Sequence, residues 1–549
     1  MAGTFLIGET KIRPGVYYRR EKIGATAAGA TNGVLAALFQ SNWGELNKVV
    51  SIDQTQLNEL EDIFGDGSTI IREGLLGGAK TVLAIRVGSD DGLAAKVTLQ
   101  TVPVEVDIVT PHELICNVEG ENAQDFDVPD NFDYDNFTAR SGDADIEPFI
   151  TLGEGKITVS AQGISAVTGG KFNLNWNSHS TVTQAVDAVE LSALHVGERN
   201  FTVSVRTNLI TDKRQLLIYS GTDVYSTVNF DAGDDEAQNL VDALSGSKIF
   251  TARKLNSGQL ADVTQAALTG GKNPTVTTSN YERGTNALER FRWNCIVANS
   301  DDAEVNGILR AFVKQSYETG HLGFACIGGK SSQTLDERMS FAAACNDEKI
   351  VFVLNGWRST DGTIYEGWRA SARIGGMIAG VETNSSLTHN VISGALELIE
   401  PLTNGEIIRA EQKGCLVLSL NYNDQIQIDN AINTLVTPDS NMDDGWKKIR
   451  RVKTRFEVVD RINATCEPLI GRVNNDSNGR GTIVTVAQGV INEMVAESKL
   501  FEGSRISEDE THKPDGDSAW FVLTIGDIDS VEKLFLTFRF GYSNPFGEG

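Results

Sequence analysis

The chain has 549 residues, 40% of them hydrophobic and 22% charged, which is enough apolar sequence for about three or four globular domains. Lys and Arg number 48 against 74 Asp and Glu, a formal net charge of -26 that argues against direct contact with nucleic acid. No apolar run reaches the roughly 18 residues of a membrane span, and the first residues lack a signal-peptide pattern. We therefore expect no membrane insertion and synthesis that ends in the cytoplasm.

The N-terminal residues 1–24 have the composition of an extended arm. Two short apolar pieces, Phe5-Leu6-Ile7 and Val16-Tyr17-Tyr18, flank Pro14 and Gly15, which would stop a helix. After this arm the pattern changes to that of an α/β layer. Asp53 is a candidate N-cap for a helix, a second helix is predicted from Ser68 to Leu76, and an apolar strand follows from Thr81 to Val87.

Residues 100–186 are the most acidic part of the chain. Thirteen acidic residues and one basic residue, Arg140, lie between Glu105 and Glu147. Their order lacks the spaced Asp, Gly and Glu of an EF-hand, so a solvated acidic loop is favoured over a calcium site. Short strand patterns follow, and the segment is predicted to be an inserted β-rich domain.

Strands and helices alternate again over residues 187–436. Helices are predicted from Asp235 to Leu244, Glu304 to Thr319, Asp336 to Cys345 and Tyr365 to Val381. The Gly328-Gly329-Lys330-Ser331 sequence resembles the end of a phosphate-binding loop, but Phe324 stands where that motif needs glycine. We interpret it as a strand and a glycine turn.

The last domain opens with an unusual concentration of positive charge. Six basic residues are Lys447, Lys448, Arg450, Arg451, Lys453 and Arg455, with no acid among them. A strand-like start that passes into a helix is predicted here. The basic side chains either contact a partner or form a charged face exposed to solvent, and the sequence leaves both interpretations open. A further helix is predicted from Thr482 to Leu500.

Close to its C-terminus the chain carries the apolar sequence VEKLFLTFRFGY, Val531 to Tyr542, which is followed by SNPFGEG. One side of this predicted strand carries Leu534, Leu536, Phe538 and Phe540. An apolar strand must be paired within its own domain or by a neighbouring subunit, because an open edge invites association. We expect it to complete its own domain's sheet, whose remaining edge would accept arms from neighbours.

The sequence shows no recognisable pattern of catalytic, metal-binding or cofactor-binding residues. The six cysteines show no CxxC spacing and are interpreted as buried reduced thiols, and the six histidines form no HExxH motif. Neither a triad nor a paired-carboxylate cleft is recognisable, so the chain is predicted not to be an enzyme.

The order of many weak sequence motifs resembles the tail sheath proteins of contractile bacteriophages and related injection machines. The matching stretches include RPGVYYR, FGDGS, LLGGAKTVLAIRVG, HVGERNFTVSV, NDEKIVFVLNG, YEGWRASARIGGMIAGVETNSSLTHNVISGA, GEIIRAEQKGCLVL, IDNAINTLVT, WKKIRRVKTRFEVVDRI, GRVNNDSNGRGTI and VEKLFLTFRF. The resemblance covers most of the chain apart from residues 100–186, which would be the variable decoration that sheath proteins carry outward.

The resemblance implies a multidomain protein of α/β and α+β class. Its parts would be an N-terminal extended arm (1–24), a discontinuous α/β sheath core (25–99 and 187–436), the inserted β-rich outer domain (100–186), a C-terminal α+β inner domain (437–542) and a tail (543–549).

The implied function is mechanical. Sheath subunits form hexameric rings stacked helically around a tail tube, and contraction drives the tube through a target envelope. The partners would be copies of the chain, the tube protein, and baseplate and tail terminator proteins. Arm strands of adjacent subunits would add to a neighbour's sheet. The basic residues from Lys447 to Arg455 would contact the tube or pair with charges of another subunit, and the predicted helix after Thr482 is the rival candidate for the element that faces the tube. The subunit would assemble in the host cytoplasm and end in the particle's sheath. A self-assembling surface-layer or adhesin-like protein is the alternative.

Overall fold

A computed structural model describes residues 2–4, 16–18, 32–538 and 540. The chain divides into two compact units. Unit 1 comprises residues 1–94, 195–199 and 271–549, and unit 2 comprises residues 95–194 and 200–270. No helix within the described residues is both long enough and apolar enough to cross a membrane.

Within its described residues, the first part of unit 1 contains five strands and two α-helices. They are β1 (Ala2–Thr4), β2 (Val16–Tyr18), β3 (Val34–Phe39), β4 (Val49–Asp53), α1 (Leu60–Phe64), α2 (Ser68–Leu76) and β5 (Thr81–Arg86).

Unit 2 is mostly β-structure. Its elements are β6 (Lys96–Gln100), β7 (Val104–Asn117), β8 (Gln124–Asp127), β9 (Phe137–Ser141), β10 (Ala144–Asp145), β11 (Ile150–Gly153), β12 (Lys156–Val159), α3 (Ala161–Ala166), β13 (Lys171–Gln184), β14 (Asp187–Ala193), β15 (Phe201–Thr207), β16 (Arg214–Ser220), β17 (Asp223–Phe230), α4 (Glu236–Ala243), β18 (Phe250–Lys254) and β19 (Val263–Ala267).

The remainder of unit 1 alternates strands and helices before ending in two long helices and a hairpin. The elements are α5 (Thr278–Leu288), β20 (Cys295–Ala298), α6 (Ala303–Glu318), β21 (Phe324–Gly328), α7 (Leu335–Cys345), β22 (Ile350–Val353), β23 (Gly356–Ser359), β24 (Ile364–Tyr365), α8 (Gly367–Gly380), β25 (Ala395–Ile399), α9 (Asn404–Gln412), β26 (Cys415–Leu416), β27 (Leu418–Leu420), β28 (Ile426–Ile428), α10 (Ile449–Cys466), α11 (Ser477–Ala496), β29 (Arg505–Glu508) and β30 (Phe521–Thr524).

Unit 1 is built on a seven-stranded sheet with the order β26-β22-β21-β20-β3-β5-β4. Every pair is parallel except β4 with β5. The central strands are apolar and buried, as expected where helices cover both faces of a parallel sheet. One face packs against apolar residues of α2 and α8. The other packs against those of α5, α6 and α7, so the α/β class predicted for this region is confirmed.

Helix α8 meets α2 and the turn that follows it at glycine residues. A Cβ on Gly376 would lie 2.1 Å from the carbonyl oxygen of Gly74, and one on Gly380 would lie 2.0 Å from that of Gly78. Beside this contact, the Arg373 Nε donates to a Glu73 oxygen at 2.8 Å, and both side chains are buried. Only residues without a side chain allow this close approach of two backbones.

The C-terminal part of unit 1 has its own small core. Helices α10 and α11 and the antiparallel hairpin of β29 and β30 enclose a cluster of buried apolar residues: Val458, Ala487, Val490, Ile491, Met494, Leu500 and Ile506. The cluster holds the hairpin against α11. The strand-like start predicted for the basic stretch is wrong, because α10 begins at Ile449 immediately after Lys448.

Unit 2 contains two kinds of β-structure. The sheets β10-β9-β13-β7 and β11-β12-β8 share a core that includes Phe172 and Trp176. The sheets β18-β14-β6 and β17-β16-β15-β19 form the rest. The predicted insertion, residues 100–186, lies within unit 2, and β14, which follows it, pairs with both β6 and β18. The predicted domain boundaries stay a prediction.

The resemblance to a phosphate-binding loop has a structural explanation. Lys330 Nζ lies 3.2 Å from an Asp301 carboxylate oxygen, and the Ser331 hydroxyl donates to Glu366 at 2.5 Å. Both polar groups of the predicted motif therefore contact carboxylates of the chain itself, which agrees with the interpretation as a strand followed by a glycine turn.

Candidate assembly site

The apolar C-terminal segment, residues 533–540, is exposed at its described positions, 533–538 and 540. Leu534 is 74% exposed, Phe535 90% and Phe538 70%, and Leu536 and Phe540 are similarly accessible. None of the described residues from 531 to 540 belongs to a strand. The expectation that this sequence completes its own domain's sheet is therefore wrong for the single chain, and its alternating pattern has no partner strand among the described residues.

The hairpin of β29 and β30 precedes this segment in the sequence, with residues 525–532 between them. It is a two-stranded sheet in which Ile506 opposes Leu523 and Ser507 opposes Val522. A hairpin of two strands is marginal unless it packs on another element, and here α11 supplies that support. Within the described residues each of its strands has one partner only, so the outer edge of β30 presents backbone groups without a neighbouring strand.

The edges of β30 and of β7 differ in chemistry. Among the strands that the structure describes, β7 pairs only with β13, and it carries Pro111 together with Glu105, Asp107 and Glu113. Proline and charge are the devices that protect an open edge from further strand addition. β30 reads Phe521-Val522-Leu523-Thr524 and has neither, so it is the less protected edge.

Between β30 and the segment lies a group of carboxylates that we call the C-terminal anchor: Asp527, Asp529 and Glu532. Arg451 donates to both oxygens of Asp527, at 2.6 and 3.0 Å. Lys448 Nζ lies 2.7 Å from Asp529 and 2.8 Å from Glu532. The hydroxyl of Ser386 donates to Glu532 at 2.8 Å. The anchor thus attaches the base of the segment to the start of α10.

The remaining basic residues of the predicted site are also engaged within the chain. Arg455 donates to Asp443 and Asp527 and lies over the Trp446 ring, and Arg450 donates to the Asn384 carbonyl oxygen at 3.0 Å. Lys447 forms an exposed pair with Asp444 at 3.3 Å.

Lys453 lies deepest in this group. It is 6% exposed, and its ammonium donates to the carbonyl oxygens of Ile378, Ala379 and Val381 at the end of α8. Burial lowers the pKa of Lys453 to about 7, against the opposite effect of Glu382 and Glu457. Its donors cap the last carbonyls of α8, which gives it a structural role.

These contacts change the interpretation of the basic stretch. The charges of Lys448, Arg450, Arg451, Lys453 and Arg455 are matched or buried inside unit 1. The hypothesis that they contact a tube or another subunit required accessible charges, and only Lys447 of the six is exposed by more than a third. Four of them, Lys448, Arg450, Arg451 and Arg455, have carboxylate partners that follow β30, where three acidic residues alternate with apolar and small ones in the sequence DIDSVE.

The anchor carboxylates remain ionised into the acid range. Burial opposes ionisation of Asp527, but the hydrogen bonds from Arg451 and Arg455 outweigh it, so the pKa of Asp527 is below its ordinary value. The pKa values of Asp529 and Glu532 are lowered in the same way, chiefly by Lys448 against the effect of burial. The anchor is therefore an ionic attachment at neutral pH.

The predicted N-terminal arm is described only in part. β1 and β2 form a parallel pair in which Ala2 opposes Val16 and Thr4 opposes Tyr18. The extended conformation predicted for Val16, Tyr17 and Tyr18 is confirmed. The other predicted arm strand, Phe5, Leu6 and Ile7, lies outside the described residues.

Residues 275–434, which run from α5 through β28, match the family model of the phage tail sheath protein central domain. The chain carries a tail sheath central domain. The resemblance recognised in the sequence is thereby confirmed for this domain. The basic start of α10 lies directly after this sheath central domain.

Two solved structures share the fold over nearly the whole chain. The sheath tail protein of Desulfitobacterium hafniense is 17% identical, with a TM-score of 0.61, and the alignment covers 94% of this chain and 100% of that one. The sheath tail protein Lin1278 of Listeria innocua is 18% identical, with a TM-score of 0.56 and coverage of 91% and 97%.

A curated relative of unassigned function is more similar in sequence but matches less of the chain. The uncharacterized protein YqbK of Bacillus subtilis (strain 168) is 25% identical over 215 residues, which are 39% of this chain and 43% of that protein. The chain thus spans less than half of the length of this relative.

Proposed function

We propose that the chain is the structural subunit of a contractile sheath, which polymerises around an inner tube and contracts to drive the tube through a target cell envelope. The observation that carries this proposal is the tail sheath central domain at residues 275–434. In the proposed particle, copies form hexameric rings stacked helically, and the ends of the sheath meet baseplate and tail terminator proteins.

The proposed link between subunits is the addition of a strand to a neighbour's hairpin. The donor is the C-terminal segment, whose residues Leu534, Leu536 and Phe538 form an apolar side that is 63% to 74% exposed. The acceptor is the outer edge of β30. Main-chain hydrogen bonds then provide affinity, and the apolar side chains gain burial worth about 25 cal/mol per Å² of surface removed from water.

This assignment changes the predicted role of the C-terminal segment from part of the accepting sheet to the strand that is donated. In the sequence-based hypothesis the terminal strand was part of the accepting sheet. Here the hairpin before it accepts, and the segment after the anchor donates. The arm at Phe5–Ile7 and Val16–Tyr18 is proposed as a second donor.

The surface that meets the tube is proposed to include α11. Its exposed side carries small uncharged residues, among them Thr482, Thr485, Gly489 and Asn492. Lys447 remains a candidate for charge contact. Unit 2, with its excess of acidic residues, is proposed to be a decoration that the sheath lattice does not require.

Electron microscopy of the purified protein, alone and with its tube protein, tests the proposal. Hollow sleeves of uniform diameter are expected from the full chain, and a chain truncated after Glu532 should remain folded without forming them. Removal of residues 543–549 alone is the matched control and should leave assembly intact. Two-dimensional lattices from the full chain would contradict the proposed sheath function. Sleeves from the chain truncated after Glu532 would contradict the proposed link between subunits.

A further inference from the structure

A groove lies beside the first residue of β30. It has a volume of about 430 Å³, and the apolar residues that bound it include Leu469, Ile470, Ile483, Ala519, Trp520 and Phe521. Ile470 is 74% exposed and Trp520 is 39% exposed. A contiguous apolar surface of this kind is uncommon on a protein that acts alone, and such surfaces mark interaction sites.

The walls of this groove are held in place by hydrogen bonds within the chain. The side-chain amide of Asn475 donates to the carbonyl oxygens of Gly516 and Ser518 at 2.9 and 3.0 Å, which joins the loop before α11 to the connection between β29 and β30. Arg480 donates to Glu508 at 2.8 Å and to the Asn475 carbonyl oxygen at 3.1 Å. The groove is therefore formed in the single chain, so a partner that enters it does not have to order its walls.

The two outer edges of the adjoining hairpin differ in their cover. The side-chain amide of Gln488 in α11 accepts a hydrogen bond from the Ile506 N–H at 3.2 Å and donates to the Ser504 carbonyl oxygen at 3.2 Å. Gln488 thus occupies the outer edge of β29. Among the described residues no side chain takes the corresponding place along β30, which begins at the groove with Phe521.

One face of β30 is turned toward the core that the hairpin shares with α10 and α11. Leu523 lies directly opposite the buried Ile506, so their side chains share this face, and alternation adds Phe521 and Ile525 to it. Phe521 and Ile525 pack against the core, whereas Leu523 is 39% exposed. A strand added to β30 covers Leu523 if its own apolar residues lie on this face.

The C-terminal segment has the matching alternation, and its aromatic residues lie at one end. Its apolar side begins with Leu534 and Leu536 and continues with Phe538 and Phe540. The rings therefore belong to the later end of the segment, whereas the groove lies at the earlier end of β30. With the two strands centred on each other, the rings reach the groove when the strands are antiparallel.

We propose that the groove binds Phe538 of a second copy and thereby sets the direction and register of the donated strand, which lies antiparallel to β30 with Leu536 opposite Leu523. This inference rests on the proposed donation of the segment to the edge of β30. The partner is a copy of this chain, because the segment carries the required apolar residues at every second position and exposes them.

The register follows from the position of the groove. With the strands antiparallel, Phe538 lies opposite Phe521 and Phe540 lies opposite Ala519, so both rings meet residues that bound the groove. A parallel strand with the same central pair would place Leu534 at the groove and both rings at the far end of β30. The antiparallel strand therefore buries the larger apolar area, since each aromatic side chain can bury about 150 to 250 Å².

Disulfide cross-linking between two differently tagged copies tests the direction of the strand. One copy carries Val522→Cys and the other Thr537→Cys, both in a chain with Cys466→Ser, since the other five cysteines are buried. In the proposed register these two positions are directly opposite, on the face that is turned away from the groove, and form a close pair that a disulfide can span.

Phe535→Cys in place of Thr537→Cys is the matched control. In the proposed register it lies diagonal to Val522, at a distance of about 7 to 8 Å that a disulfide does not span, whereas in a parallel strand it would lie directly opposite. Mild oxidation should therefore cross-link Val522→Cys to Thr537→Cys and give no cross-link to Phe535→Cys.

Loss of the ring tests the groove itself. Phe538→Ala in the Thr537→Cys copy should raise the protein concentration for half-maximal cross-linking by at least about tenfold, because a buried aromatic residue dominates the affinity of an interface. Ile470→Asp in the Val522→Cys copy should act in the same direction, and its exposed position should preserve the fold. Phe535→Ala is the matched control and should change this concentration by less than about twofold.

Three results would overturn the inference: cross-linking through Phe535→Cys in place of Thr537→Cys, cross-linking through neither, or equal effects of Phe538→Ala and Phe535→Ala. Sleeves that cross-link through Phe535→Cys would show a parallel strand and leave the proposed sheath function standing. Cross-linking through Thr537→Cys in a protein that forms no sleeves would leave the groove assignment standing and defeat the proposed sheath function.

Discussion

Arg451 donates from Nε to Oδ2 of Asp527 at 2.6 Å and from Nη2 to Oδ1 of the same carboxylate at 3.0 Å. This two-point contact is the geometry that a guanidinium and a carboxylate favour. It joins the first turn of α10 to the residue three positions beyond β30. Because Asp527 is 8% exposed, the contact is shielded from solvent and is worth more than a surface pair.

We predict that Asp527→Asn lowers the free energy of unfolding by about 2 kcal/mol. The substituted side chain is a neutral amide, so the positive charges of Arg451 and Arg455 lose their partner. Urea unfolding at pH 7 measures the change. Asp444→Asn, at a residue whose side chain is 91% exposed in its pair with Lys447, is the control and should change stability by less than about 0.5 kcal/mol. Equal effects of the two substitutions would show that the anchor contributes no special stability.

The anchor should weaken in acid. The pKa values of Asp527, Asp529 and Glu532 are lower in the folded chain than their ordinary values. Their contribution to stability is therefore complete above about pH 5 and is lost as the pH falls through the folded pKa values. The stability difference between the wild type and a variant with Asn, Asn and Gln at these positions should shrink from pH 6 to pH 3. A difference that stays constant over this range would exclude ionic anchoring.

Two proline substitutions in β30 should have opposite consequences. The Asp509 N–H donates to the Trp520 carbonyl oxygen at 2.9 Å, and Ser507 opposes Val522. By antiparallel alternation, the N–H of Val522 then points toward β29 and that of Leu523 points to the open edge.

Leu523→Pro should therefore keep the hairpin and prevent strand addition, whereas Val522→Pro should disrupt the hairpin itself. Assembly is scored by electron microscopy and the fold of the subunit by circular dichroism and thermal unfolding. Leu523→Ala controls for loss of the side chain and should assemble. Normal sleeves from the Leu523→Pro variant would exclude the β30 edge as the acceptor.

The glycine contact between α2 and α8 should not tolerate a methyl group. Gly376→Ala would place a Cβ 2.1 Å from the Gly74 carbonyl oxygen, and forcing the two helices apart should cost about 1 to 3 kcal/mol. Gly307→Ala in α6 is the matched control, because nothing lies within 4 Å of its Cβ position. That change should stabilise the chain by up to about 1 kcal/mol through helix propensity. Thermal unfolding of the two variants measures whether Gly376→Ala destabilises the chain and Gly307→Ala stabilises it.

Helices were predictable where local signals agreed. Thr334 and Glu337 form the capping box at the start of α7, and Asp302 caps α6. Both helices lie within one residue of their predicted starts, because caps and apolar spacing are encoded in consecutive residues.

Contacts between residues far apart in the sequence were not predictable in the same way. The period of two in the C-terminal segment identifies the conformation it favours but not the strand that pairs with it. The basic stretch looked accessible because the partners of Lys448 and Arg451 lie 81 and 76 residues later. The acidic residues of DIDSVE were a signal that could have indicated an internal contact.

The anchor also supplies negative charge at the N-terminus of α10. A helix dipole places partial positive charge at the N-terminus, and α10 begins there with Lys448, Arg450 and Arg451. Asp527, Asp529 and Glu532 provide the compensating negative charge from elsewhere in the chain. A shortened chain that ends before Asp527 would leave a crowded cationic helix end, whereas one that ends after Glu532 keeps it neutralised. The boundary between the folded body and its removable extension thus lies between Glu532 and Lys533.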